Sequence, residues 1–141
     1  MSHPGIDGLM QQQAWDDAII ECQAALQLQP TNSRLYGYLG ICFFRKGEYH
    51  LAIDPFRKAC VLDPNFWEAG AKLAQCFDRL HRYEEAYEVA TEWLKVRPNC
   101  HTLQGLVEAL KYQVRGNKVE GWERTAHLAH EIKFANSDQK R

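Results

Sequence analysis

SRLYGYLGICFFRKGEYHLAIDPFRKACVLDPNF, residues 33–66, is the stretch whose reading decides the fold. Tyr36, Leu39, Gly40 and Phe43 fall at i, i+3, i+4 and i+7, which places them on one face of a helix from Ser33 to Arg45. Lys46-Gly47 breaks it, because glycine tolerates the left-handed backbone that commonly ends a helix. A second helix then presents Ala52, Ile53, Phe56, Ala59, Cys60 and Leu62 on its apolar side. Pro64 stops this helix, having no amide hydrogen to donate and a ring that excludes the preceding residue from helical geometry. The stretch is one helical hairpin. Gly40 and Ala52 are the small residues expected where its helices cross, at about 8–10 Å between axes.

The same plan recurs on both sides. Pro30, Pro64 and Pro98 are spaced by 34 residues, and so are Trp15, Tyr49 and Tyr83, then Ala18, Ala52 and Ala86, then Leu28, Leu62 and Val96. In the third copy Leu73, Ala74 and Phe77 form the first helix, His81 stands where Gly47 stood, and Tyr83, Ala86, Tyr87, Ala90 and Trp93 precede Pro98. Ala90 takes the place of Phe56 while Trp93 takes that of Ala59, an exchange of large and small expected to conserve packed volume. The first copy is partial, since Pro4, Gly5 and Gly8 leave only a short stub before a sound second helix from Ala14 to Gln29. Past Pro98, Leu103, Leu106, Val107 and Leu110 predict an amphipathic helix to Arg115, and Gly116-Asn117 predicts a break. A last helix is expected to carry Trp122, Ala126, Ala129 and Ile132 or Lys133. The reading is therefore one repeat domain, 1–141: a partial first repeat (1–32), a second (33–66), a third (67–100), a degenerate capping hairpin (101–135) and a polar tail (136–141). The fold class is all-α, an α-solenoid of antiparallel helical hairpins with about three repeats plus C-terminal capping helices.

Composition bounds the role without naming it. The chain of 141 residues is 45% hydrophobic and 25% charged with a formal net charge of −1, which matches neither a disordered chain nor a nucleic-acid binder. Without a continuous basic stripe, phosphate-backbone binding is not expected. No run approaches the roughly 18 apolar residues of a membrane span, and Met1 to Gln13 lack a basic region followed by an apolar run. Five cysteines, with Cys42 and Cys76 in one repeat slot and Cys22, Cys60 and Cys100 scattered, read as buried free thiols of a reducing compartment; a cytoplasmic location is expected.

The hairpin of residues 33–66 resembles the tetratricopeptide repeat family, whose pattern is W-x2-L-G-x2-Y, then A-x3-F, then P. Tyr36, Leu39, Gly40 and Phe43 match the first part, Ala52 and Phe56 the second, and Pro64 the third. The third copy departs at Gly70, Ala74 and Ala90 but keeps the spacing, and the resemblance covers about residues 5–100. The resemblance implies a right-handed superhelix whose first helices line a concave groove that binds an extended peptide or a partner helix. On this chain the groove-facing positions are Arg34, Gly37, Tyr38, Ile41, Phe44 and Arg45, then Glu68, Ala71, Lys72, Gln75, Asp78 and Arg79. The candidate binding residues are Arg34, Tyr38, Ile41, Phe44, Arg45, Lys72, Gln75 and Arg79, with Tyr38, Ile41 and Phe44 expected as an exposed apolar patch inside a charged rim. Basic residues exceed acidic ones along the groove, which favours an acidic or carboxylate-ended ligand. Some family members clamp the C-terminal carboxylate of heat-shock chaperones with lysines, asparagines and an arginine. Gly37, Tyr38, Ile41 and Ala71 stand where that clamp wants polar or basic groups, so co-chaperone activity of this type is not expected.

Catalytic chemistry is not expected, and neither is a cofactor: no phosphate-cradling glycine loop, paired-cysteine metal motif or nucleophile elbow occurs in the chain. His127 and His130 with Glu131 offer at most an i, i+3 pair, short of the three or four ligands zinc needs, and read as surface residues. Cys42 and Cys76 read as small apolar fillers beside Phe43 and Phe77, because reactive thiols need electropositive, partly exposed surroundings. Trp15, Tyr49 and Tyr83 read as packing between hairpins rather than a platform for bases. The function expected is a non-enzymatic protein-interaction module or scaffold. The alternative is a homo-oligomeric, dimeric structural protein assembling through its truncated first repeat, where Trp15 would be exposed.

Overall fold

Asn32 opens the first helix of the quoted hairpin: its side-chain oxygen accepts from the Arg34 and Leu35 amides at 3.0 and 3.3 Å, satisfying two of the donors that a helix start leaves unpaired. The structure, a computed structural model, describes the backbone of residues 4–124 and the side chains of residues 5–116. The helices follow in order as α1 (Pro4–Gln11), α2 (Trp15–Leu28), α3 (Ser33–Arg45), α4 (Tyr49–Leu62), α5 (Trp67–Arg79), α6 (Tyr83–Val96) and α7 (His101–Arg124), with no strand among the described residues. The boundaries of α3 are those read from the sequence, and α4 ends at Leu62, before Pro64.

The turn inside each hairpin repeats as strictly as the prolines between hairpins. Gln13, Gly47 and His81 occupy one register position, and all three have positive φ, at 60°, 82° and 63°. A left-handed residue there reverses the chain in a short turn, a conformation that costs a side-chain-bearing residue about 1–2 kcal/mol and glycine almost nothing. Pro55 lies inside α4, yet the helix continues through it. The carbonyl deprived of its bond belongs to Leu51, an exposed residue.

Packing runs from each helix to the next in sequence, α1 through α7. In addition α3 touches α5 and α5 touches α7, whereas no comparable contact joins successive second helices among the described residues. First helices therefore lie closer together than second helices, so the stack curves with its first helices on the inner side. The core is a row of interfaces rather than one centre. Ile6, Ala18, Ile19, Cys22, Ala25, Leu35, Leu39 and Cys42 form one cluster, and a larger one extends from Ala52 to Leu110. Phe43 packs against both. Short α1 is enough to seal the first cluster, because Ile6 is 1% exposed.

Small residues make room for specific rings. A Cβ on Gly40 would lie 2.7 Å from the Phe56 ring, so the close approach at this crossing is glycine to phenylalanine, one turn along α4 from buried Ala52. In the next hairpin the tryptophan on α6 fills the space: a Cβ on Gly70 would lie 2.4 Å from Trp93. The aromatic expected at Gly70 on α5 is thus supplied from α6, with Ala90 fully buried beside it on the same helix. The exchange of volume that the contacts show is between Gly70 on the first helix and Trp93 on the second.

One expectation is corrected. Gly116-Asn117 does not break the chain, since α7 runs unbroken to Arg124. Glycine and asparagine each cost a helix interior only about 0.5–1 kcal/mol relative to alanine, and no proline follows to make the stop obligatory. Leu103, Val107 and Leu110 hold α7 on the stack as buried residues at helical spacing. The remaining residues of the expected capping hairpin, Ala126, Ala129, Ile132 and Lys133, lie outside the described residues, as do His127, His130, Glu131 and the 136–141 tail.

Candidate peptide-binding groove

The inner face is built by α3 and α5, whose helical repeat sets Tyr38, Ile41, Phe44 and Arg45 beside Lys72, Gln75 and Arg79. Tyr38, Ile41, Phe44, Lys72 and Gln75 are half-buried, and Arg34, Arg45 and Arg79 are exposed. The apolar patch expected to stand free is partly occupied by the protein itself. Tyr38 packs on the first core cluster, while Ile41 and Phe44 pack on the second. Gly37 and Ala71, expected on the open face, are both buried. The Phe66 ring covers Gly37, where an added Cβ would meet it at 3.0 Å.

Phe44 is the hub of the groove. Tyr49 meets it edge-on with ring centroids 5.0 Å apart, the Lys72 ammonium lies 4.7 Å from its centroid, and the Arg79 guanidinium lies at 5.8 Å. Arg79 also sits 5.5 Å from the Tyr49 centroid and donates from Nη1 to the Tyr49 hydroxyl at 3.1 Å. Burial, then the neighbouring charge of Arg45, holds the Lys72 ammonium below its usual pKa, with Arg79 adding to the effect. Sequence reading missed this assembly because it joins residues of adjacent hairpins.

Charge is unevenly distributed along α3. Arg34 lines a polar pocket with Ser33, Asp63, Asn65 and Glu68, so acids surround it. Arg45, roughly 16 Å further along the helix, lines a separate hollow with Met10, Gln13 and Trp15, and its charge acts on Lys72. The eight candidate residues therefore divide into a charge-balanced end at Arg34 and a cationic end at Arg45, Lys72 and Arg79. Trp15 is half-buried on the first core cluster rather than open at the end of the stack.

Cysteine environments are apolar. Cys22, Cys42 and Cys76 are fully buried and unbonded as disulfides. Burial pushes the Cys76 thiol up to about 12 and the Cys60 thiol up to about 11. A hydrogen bond to Cys42, then burial, raises the Cys22 thiol further. Among the described residues no cluster of histidine, cysteine and carboxylate groups could hold a metal, and no helix is long and apolar enough to cross a membrane.

No family model matches the chain. Over 80 residues it is 32% identical to Superkiller protein 3 of Schizosaccharomyces pombe, a match covering 57% of this chain and 6% of that protein. It is 28% identical to small glutamine-rich tetratricopeptide repeat-containing protein 2 of Mycosarcoma maydis, covering 64% of this chain and 26% of the relative. The chain thus spans only a small part of these relatives. Among solved structures it resembles the first TPR of Spaghetti (RPAP3) bound to the HSP90 peptide SRMEEVD, with a TM-score of 0.75, 18% identity, and 79% of this chain and 89% of that chain covered. The Sgt2 TPR domain from Aspergillus fumigatus gives 0.74 at 18% identity, covering 82% and 78%. Yeast Tom70 gives 0.77 at 18% identity, covering 85% of this chain and 25% of that one. Repeat pattern, hairpin geometry and these likenesses agree: the chain has the tetratricopeptide repeat fold, an all-α solenoid of helical hairpins.

Proposed function

We propose that the chain is a non-enzymatic protein-interaction module, a scaffold or adaptor that holds an extended peptide or a partner helix along the inner face of α3 and α5. The observation that carries this is the Tyr38–Ile41–Phe44 row, half-buried apolar and aromatic surface flanked by Lys72, Gln75 and Arg79 on the concave side. Such a groove offers side-chain pockets and hydrogen-bonding groups along a line, which suits a linear ligand. Structural neighbours of this fold include the RPAP3 domain bound to an HSP90 peptide.

The partner is a protein or peptide with acidic character, and neither nucleic acid nor membrane is part of the proposal. A chaperone tail is not the proposed ligand. Gly37 and Ala71 are buried, and Tyr38 and Ile41 bring no charge to the positions where a carboxylate clamp would need it. Buried thiols at Cys22, Cys42 and Cys76 favour a reducing compartment, and the cytoplasm is the proposed location.

Panning displayed random peptides on the full chain tests the reading. Enriched peptides should bind the wild type and lose at least tenfold in affinity with Tyr38→Ala plus Gln75→Ala. Peptides that bind the double variant equally well would place the site elsewhere. Light scattering of the same preparation addresses self-assembly: a dimer that survives dilution and that peptide does not dissociate favours the homo-oligomer instead.

A further inference from the structure

We propose that α4 carries a second docking site, on the outer side of the stack, for one large apolar side chain of a partner protein flanked by acidic residues. It is separate from the groove. Pro30 of the link before α3, Tyr36 of α3, and Arg57, Lys58, Val61 and Leu62 of α4 line an open hollow of about 300 Å³. Val61 is 75% exposed and Leu62 39%, so one wall of the hollow is bare aliphatic surface. Its size lies at the bottom of the range for ligand cavities, about 300–1,000 Å³, which suits a single anchoring side chain better than a whole small molecule.

The fold does not require this surface. At the positions of Arg57, Lys58, Val61 and Leu62, the preceding repeat has Gln23, Ala24, Gln27 and Leu28, and the following repeat has Thr91, Glu92, Lys95 and Val96. Val61 therefore has polar counterparts on both sides. In the third hairpin Lys95 pairs with Glu92 at 3.4 Å, and Trp93 fills the space at Gly70, the counterpart of Tyr36. The hollow is a departure of the second hairpin from its neighbours, and an exposed valine that the repeat readily replaces with a polar residue marks an interaction surface.

Charge selects the partner. The Lys58 ammonium lies 5.5 Å from the Tyr36 ring centroid, which keeps its stem on the apolar wall and its charge at the mouth. Among the described residues no carboxylate pairs with Lys58. Arg57 beside it reaches Asp54 only at 3.9 Å, with both side chains exposed. Glu85 of α6 feels the Arg57 charge but is already held by Arg82 through bonds of 2.6 and 2.7 Å, and Asp63, which follows Leu62, lines the separate Arg34 pocket. Two cations at the rim of an apolar hollow complement an apolar anchor with carboxylates on its flanks. A second copy of the same hollow, facing it across a two-fold axis, would bring like charges together.

The probe is acetyl-Glu-Trp-Glu-amide, titrated into the full chain with acetyl-Lys-Trp-Lys-amide and acetyl-Glu-Gly-Glu-amide as controls and followed by methyl and aromatic NMR. Saturable shifts at Val61, Leu62 and Tyr36 are expected with the first peptide, and binding about tenfold weaker with either control. Val61→Lys and Lys58→Glu introduce the residues that α6 carries at those positions, so both variants should keep the helical circular dichroism of the wild type, and each should weaken binding about tenfold. Tyr38→Ala plus Gln75→Ala, which alters the groove, should leave it unchanged. Equal binding of the lysine-flanked peptide, undiminished binding to Val61→Lys, or no saturable shift at Val61 would overturn the site and leave the groove standing. Shifts of Val61 on concentrating the peptide-free chain would give the hollow to a second copy, and nuclear Overhauser contacts from Val61 to Trp122 in the dilute chain would give it to the chain's own C-terminal segment; either result overturns the proposal.

Discussion

Trp93 of α6 occupies the space that the missing side chain of Gly70 leaves on α5, with the nearest ring atoms 2.4 Å from where a Cβ would stand. In the preceding hairpin Tyr36 stands at the Gly70 position and Ala59 at the Trp93 position, so adjacent hairpins solve the same packing with the aromatic on opposite helices.

Gly70→Ala is expected to destabilise by about 1–3 kcal/mol, the usual cost of overpacking, although alanine is the better helix former. Gly105, where an added Cβ would meet nothing within 4 Å, supplies the control: Gly105→Ala should stabilise by about 0.5–1 kcal/mol. Urea unfolding reads both. Trp93→Ala should cancel the Gly70→Ala penalty in a double-mutant cycle, and simple additivity would show that the two residues do not compete for one space.

Phe56 is 1% exposed and Tyr38 only half-buried. Phe56→Ala should cost about 3–5 kcal/mol. Tyr38→Ala should cost about 1 kcal/mol, typical of a partly exposed contact. Comparable losses in chemical denaturation would contradict the division of α3 into a packing face and a groove face.

Gln13 and His81 hold a left-handed backbone that glycine adopts freely. Gln13→Gly should stabilise by about 1 kcal/mol. His81→Gly should gain less, because it also loses the 2.6 Å contact between His81 Nδ1 and the Tyr83 hydroxyl. A lower melting temperature for Gln13→Gly would mean that the turn is not left-handed in solution.

Burial should decide thiol reactivity. Native protein treated with a thiol-exchange reagent is expected to label at half-exposed Cys60 and Cys100, while Cys22, Cys42 and Cys76 react only on unfolding. The folded Cys76 thiol titrates near about 12 against 9.0 for an ordinary thiol, so in that window the unfolded chain holds fewer protons and stability falls as pH rises. Cys76→Ala should flatten that alkaline loss. Mass spectrometry showing native labelling of Cys76 would point to a reactive thiol.

The hairpin was legible because its signals are local. Apolar spacing from Tyr36 to Phe43, the Lys46-Gly47 break and Pro64 after the second helix each act within a few residues, and repetition at a fixed interval carried the reading to α5 and α6. The end of α7 was not legible: Gly116-Asn117 weakens a helix without forbidding it, so the outcome rests on energies below about 1 kcal/mol per residue. In the groove the positions on α3 and α5 were legible but not their exposure. Covering Phe44 takes Lys72 and Arg79 from the next hairpin, and covering Gly37 takes Phe66 from the link after Pro64. Those contacts depend on how one hairpin is rotated against the next, which the spacing of residues within a hairpin does not encode.

Backbone NMR of the full chain with and without a panned peptide tests the central claim most directly. Saturable shifts should concentrate on Tyr38, Ile41, Lys72 and Gln75, on the inner faces of α3 and α5, while exposed positions of α4 and α6 such as Val61 and Glu88 stay still. Shifts confined to α4 and α6, with the inner faces unmoved, would contradict it.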